Sequence, residues 1–204
     1  MTELRRWLLE RSFVVPERVN VIELGARAAV WIGLLVLGWG YVFESIERSQ
    51  ESPTFLHFLI SRVNLVFHEA GHIVFAILGE LIAALGGSLM QVLIPLVCAV
   101  TFLRHLNSFG AAVATWWAGE SLIELAPYIG DARSQRLELL GGVTGSDAPG
   151  YHDWNNILSR LDLLAYDHGL AKAAHLLGTL LILLGLAWGG YLLMRQYRNR
   201  EGFP

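Results

Sequence analysis

Asn64-Leu65-Val66-Phe67-His68-Glu69-Ala70-Gly71-His72-Ile73-Val74-Phe75 opens an apolar run that continues to Leu85. Two histidines and a glutamate, spaced His-Glu-x-x-His, therefore sit in a stretch long enough to cross a bilayer. Ionisable groups are expensive in hydrocarbon, so their presence there calls for a role. Residues four apart lie on one face of an α-helix, about one turn along the axis. His68 and His72 can thus turn imidazole nitrogens toward a single ion. Glu69, beside the first histidine, is placed to hold a water rather than to bind the ion. This is the arrangement of zinc metallohydrolases, with Glu69 as general base.

The rest of the chain reads as a membrane scaffold. Of 204 residues, 54% are hydrophobic and only 16% charged, against about 25% charged in an average soluble domain. The 21 glycines suit close helix packing in a bilayer. A net charge of −3 gives no sign of a nucleic-acid partner. Cys98, the single cysteine, excludes an internal disulfide framework and a cysteine-based zinc site.

The expected fold is all-α: a polytopic helical membrane protein with about five transmembrane helices. Residues 1–23 mix arginines and glutamates around Trp7, Leu8, Leu9 and Phe13, as an amphipathic segment lying on the bilayer or on a membrane-complex partner. Residues 24–204 form one transmembrane domain. Its expected spans are 24–43, the motif helix over 54–84, 88–103, 109–129 and 173–194, with an acidic loop at 44–53. Gly86-Gly87 is expected to break the motif helix, and Pro95 to leave 88–103 kinked, incomplete or re-entrant. Arginines near both termini would place both ends in the cytoplasm, which five full crossings do not permit. Residues 130–172 form the one sizeable polar region, with an amphipathic helix near 155–166.

A catalytic zinc usually takes three protein ligands and a water. His152 is the first candidate for the third, because it opens a helix after a turn-rich loop that can fold back to the membrane. Asp153 beside it is expected more as a helix cap. Asp131, and Glu120 or Glu124 on one face of the 109–129 span, are the other candidates. Asn64, one turn before His68, could hydrogen-bond the site, and Glu80 is expected near the end of the motif helix. The bland alternative is a histidine pair satisfied by neighbouring helices. A di-iron site would want a second Glu-x-x-His, which is absent from the sequence. Haem would need a facing histidine, for which His175 is best placed.

Phe67-His68-Glu69-Ala70-Gly71-His72-Ile73 resembles the active-site helix of the site-2-protease type of intramembrane zinc metallopeptidase. The resemblance implies a Zn2+ cofactor, a peptide or membrane-protein substrate cleaved in or near the bilayer, and an integral protein, here expected in a bacterial plasma membrane. It also implies an aspartate ligand from an Asp-Gly signature near an Asn-Pro pair. This sequence lacks that signature, and its aspartates nearest the right place are Asp131 and Asp153. A non-proteolytic zinc-binding subunit of a larger membrane complex is the competing expectation, and a haem or redox protein a more distant one.

Overall fold

The structure, a computed structural model, describes residues 3–15, 19–43 and 54–199. Seven α-helices follow one another: α1 (Glu3–Ser12), α2 (Val21–Phe43), α3 (Phe55–Phe75), α4 (Glu80–Arg104), α5 (Ser108–Gly130), α6 (Asp153–Arg160) and α7 (Asp167–Arg198). Among the described residues there is no strand, only an isolated bridge between Glu138 and Thr144. The described residues are all-helical, and three stretches among them are long and apolar enough to cross a membrane: α2, α4 and Leu164–Arg198, which contains α7. Large apolar side chains cover their outer surfaces and that of α3: Trp39 is 67% exposed and Ile73 77%. That suits a hydrocarbon environment better than water.

The centre of the bundle is α5, which buries Trp116, Glu120, Ile123 and Leu125 among many others. It packs chiefly on α7 through glycines. A Cβ on Gly119 would lie 2.6 Å from the Gly178 carbonyl oxygen, and one on Gly178 2.5 Å from that of Gly119. Only hydrogen at both positions lets the two backbones approach so closely. Tyr41 of α2 and Ile182 and Leu186 of α7 complete that core with Trp116 and Ile123.

The motif helix begins where expected and ends earlier. Thr54 caps α3, its hydroxyl accepting from the His57 N–H at 3.3 Å. At the other end, α3 stops at Phe75 and a short 3-10 turn, Ala76–Leu78, leads to Gly79. Gly79 has φ 97° and ψ 164°, a conformation essentially restricted to glycine. The chain reverses there, so Glu80 starts α4 instead of ending the motif helix, and it pairs with Arg160 at 2.5 Å.

Gly86-Gly87 does not break a helix. Both lie inside α4, and the segment 88–103 is the remainder of one continuous 25-residue helix, with Pro95 accommodated in its interior. The glycines serve a close crossing instead. A Cβ on Gly71 would fall 2.1 Å from the Gly86 carbonyl oxygen, and one on Gly86 2.7 Å from that of Gly71. Residues with β-carbons would hold α3 and α4 apart.

The polar region is shorter than expected, because α7 already starts at Asp167, whose carboxylate pairs with Arg133 at 2.7 Å. The amphipathic helix runs from Asp153 rather than from 155. At the N-terminus, α1 docks on this same chain. Arg11 donates to the Arg104 carbonyl at 2.9 Å, and the Trp188 indole donates to the Ser12 carbonyl at 2.7 Å. The acidic loop expected at 44–53 lies outside the described residues.

Candidate metal centre

His68 and His72 occupy one face of α3 and converge on a carboxylate. Asp153 Oδ2 is 3.4 Å from His68 Nε2 and 3.3 Å from His72 Nε2. The three residues form a group whose ligand atoms all lie within 4.8 Å of one another, and which could hold a metal ion. Ligands about 2.0–2.1 Å from a tetrahedral zinc stand about 3.3 Å from each other. The observed nitrogen–oxygen spacings match that edge.

The other ring nitrogens are engaged as metal-binding histidines require. His72 Nδ1 lies 2.8 Å from the Ala83 carbonyl oxygen, which can only accept, so Nδ1 carries the proton. His68 Nδ1 lies 3.0 Å from Gln91 Oε1. With both Nδ1 atoms protonated, each Nε2 either carries a second proton toward Asp153 or gives its lone pair to an ion. Such outer partners fix ring orientation and tautomer. Burial by itself would raise the Asp153 carboxyl, but hydrogen bonds from His68 and His72 outweigh it and hold the group at about 2. An ion entering there would displace those protons.

Gly87 makes the convergence possible. A Cβ at this position would lie 2.6 Å from His68 Nε2 and 2.7 Å from His72 Cε1. The glycine pair of α4 therefore lets the helix cover both rings without displacing them. Asp153 is fixed by Tyr128 of α5: the hydroxyl donates to Oδ2 at 3.0 Å and accepts from the Asp153 N–H at 2.9 Å. Trp154 then ties α6 to α4, its indole donating to Ser88 Oγ at 3.1 Å.

His152, the first candidate for the third ligand, lies elsewhere. It caps α6, with Nδ1 accepting from the Asn155 N–H at 3.2 Å, and its ring stacks on Tyr128 with centroids 4.5 Å apart. Its Nε2 is 3.4 Å from Asp131 Oδ2, not in the histidine cluster. Burial holds this imidazole below its usual pKa, against the partial pull of Asp131 and Asp153. The two neighbours have exchanged the expected roles: His152 caps the helix, and Asp153 faces the histidines. Asp131 is also structural. Its carboxylate accepts from Ser134, from the Arg136 N–H at 3.0 Å and from the Leu137 N–H at 2.9 Å, which shapes the loop after α5.

Glu120 and Glu124 do not reach the cluster as ligands. Both accept from Asn64 Nδ2, at 2.8 and 2.5 Å, and Glu124 also accepts from Gln91 Nε2 at 3.0 Å. Asn64 Oδ1 accepts from the Trp117 indole at 2.8 Å. Asn64 thus hydrogen-bonds the acidic pair behind the site. Gln91 escaped the sequence reading, although a lone amide in the apolar segment 88–103 is itself a signal.

A cavity of about 750 Å3 opens beside the cluster. His68, Glu69, His72, Tyr128 and Asp153 line one part, and Arg62 and Glu138 lie on its wall. His57 and His175 line it too.

No protein-family model, curated protein or solved structure matches the chain.

Proposed function

We propose that this chain is a zinc-dependent intramembrane endopeptidase of the site-2-protease type. The observation that carries the reading is the single oxygen of Asp153 set 3.3–3.4 Å from both histidine Nε2 atoms, with Glu69 on the cavity wall beside them. A zinc ion held there supplies Lewis acidity that lowers the pKa of a bound water from about 16 toward 7. His68, His72 and Asp153 would hold the ion, and Glu69 would serve as the base that takes a proton from the attacking water and returns it to the departing amine. Tyr128 keeps Asp153 oriented. A substrate must present an extended backbone, since a helix hides its carbonyls, and the cavity has room for such a segment.

The reading takes α3 and α5 as further crossings, making five. At 1.5 Å per residue their 21 and 23 residues reach about 31 and 34 Å, near the hydrocarbon thickness of about 30 Å. It places the chain in a bacterial plasma membrane. Two imidazoles and one carboxylate also suit non-haem iron(II), which metal analysis of the purified protein distinguishes from zinc.

The test is Glu69→Gln, assayed in proteoliposomes against a panel of tagged single-span peptides. Zinc should remain bound while cleavage falls by about 10²–10⁴-fold. Unchanged cleavage in the variant, or purified protein without zinc, ends the protease reading. Zinc with no cleavage by the wild type favours a non-proteolytic metal-binding subunit.

A further inference from the structure

Behind His68 runs a chain of amides and carboxylates that the proposed reaction does not use; Asn64, Gln91 and Glu120 are buried, and Glu124 is half-buried at the cavity wall. It passes from His68 Nδ1 to Gln91, Glu124, Asn64 and Glu120. Its direction can be fixed from one end. The Trp117 indole can only donate, so the Asn64 oxygen faces it and the Asn64 NH2 faces the two carboxylates. Glu124 Oε2 accepts from that NH2 and, as a carboxylate, from the Gln91 NH2 as well. The Gln91 carbonyl is then the group presented to His68.

An amide turned over looks nearly the same in shape, and here the consequence would be chemical. A flipped Gln91 would bring its NH2 against His68 Nδ1, which would have to accept. The ring proton would then move to Nε2, and Nε2 would have no lone pair for an ion. The flip would also set the Gln91 oxygen against Glu124 Oε2. Gln91 is 4% exposed and Asn64 fully buried, so the two mismatched contacts could be softened only by water entering from the cavity that Gln91 and Glu124 border.

We propose that Glu124 is a positioning residue for the metal centre, locking His68 through Gln91 in the tautomer that leaves Nε2 free. The proposal deepens the metal reading above and, for its effect on affinity, rests on it. His72 provides an internal control, because its Nδ1 proton is held by a backbone carbonyl that cannot turn over.

The experiment labels histidine with 15N in detergent-solubilised protein and reads Nδ1 protonation without metal, alongside zinc affinity by chelator competition. His68→Gln and His72→Gln variants assign the two resonances. In the wild type, Nδ1 of both rings should carry a proton. In Glu124→Leu, His68 should gain a population with unprotonated Nδ1 while His72 does not change. Zinc affinity should fall about 10–100-fold, the usual effect of losing an outer partner. Adding Gln91→Glu to that variant should restore both readouts, since a carboxylate always presents an acceptor. If Glu124→Leu leaves His68 unchanged while the wild type binds zinc, the lock is wrong and the metal reading stands. If the His68 tautomer responds but the wild type binds no zinc, the lock stands and the metal reading fails. If both rings change together and Gln91→Glu restores neither readout, Glu124 supports the fold generally, and the proposal is overturned.

Discussion

Two histidine–aspartate groupings lie side by side in this molecule, and by distance they are the same. His68 Nε2 is 3.4 Å from Asp153 Oδ2, and His152 Nε2 is 3.4 Å from Asp131 Oδ2. Their chemistry is opposite, and the remote ring nitrogen decides it. His68 Nδ1 faces an amide oxygen and is protonated, which leaves Nε2 available. His152 Nδ1 accepts a backbone N–H, which puts the proton on Nε2. The carboxylates differ in the same sense. Asp131 is occupied by loop N–H groups and a serine hydroxyl, whereas Asp153 faces the cavity and the histidine pair. A count of histidines and acids within reach would not separate a group able to hold a metal from a helix cap; the hydrogen bonds one atom further out do.

The sharpest way to break this comparison is to remove one member of each grouping. Asp153→Ala should lose stoichiometric zinc, with an affinity loss of at least the ~100-fold at the upper end for outer partners, read by metal analysis after gel filtration. His152→Ala should keep its zinc and lower thermal stability by about 1 kcal/mol, the typical cost of a lost cap. Zinc lost from His152→Ala and retained by Asp153→Ala would reverse the assignment.

A smaller effect should follow from Gly87→Ala. The added methyl would lie 2.6 Å from His68 Nε2, so the rings must separate from their shared oxygen. Zinc affinity should fall about 10-fold or more, with the helical circular dichroism retained. Wild-type affinity would mean that the rings need no support from α4.

The weakest effect concerns the loop that delivers both His152 and Asp153. Thr144 donates to Asp147 from its hydroxyl at 2.6 Å and from its N–H at 3.2 Å, and these bonds hold the carboxyl below its usual pKa. A carboxyl depressed in the fold contributes stability above its unfolded pKa of about 3.9 and loses it as pH falls through the folded value. Thr144→Val should move the Asp147 midpoint back up in a 13C titration and leave zinc binding unchanged.

Much of the architecture could be read from apolar runs. A bilayer-length hydrophobic stretch says helix with little ambiguity, and the all-helical fold and the starts of α3 and α5 follow from it, while α2 begins at Val21, inside the segment 1–23 expected to lie apart from the spans. The glycines misled. Gly86-Gly87 reads as a breaker by propensity, yet it lies inside α4, because contact with α3 outweighs the conformational cost. The actual reversal, at Gly79, looks like one more small residue in the sequence. His68 and His72 were legible because their spacing is a property of one helix. The third member was not, because the choice between adjacent His152 and Asp153 depends on how a distant loop presents the first turn of α6. Cap preference pointed to the aspartate as the cap, and Tyr128 together with Asn155 settles the opposite.

The docking of α6 has a further consequence. Asn155 holds the Ala132 carbonyl at 2.8 Å, Trp154 holds Ser88, Arg160 reaches Glu80, and Ile157 and Leu158 are packed with Ala132. None of these contacts involves an ion, yet together they set down Asp153 within 3.4 Å of histidines 81 and 85 positions earlier in the chain. A coordination sphere at these residues would therefore be assembled by packing, unlike small zinc domains in which the ion organises the chain. Metal here would be a tenant rather than a keystone: it can be withdrawn and returned at constant fold, raising stability only by mass action with its free concentration.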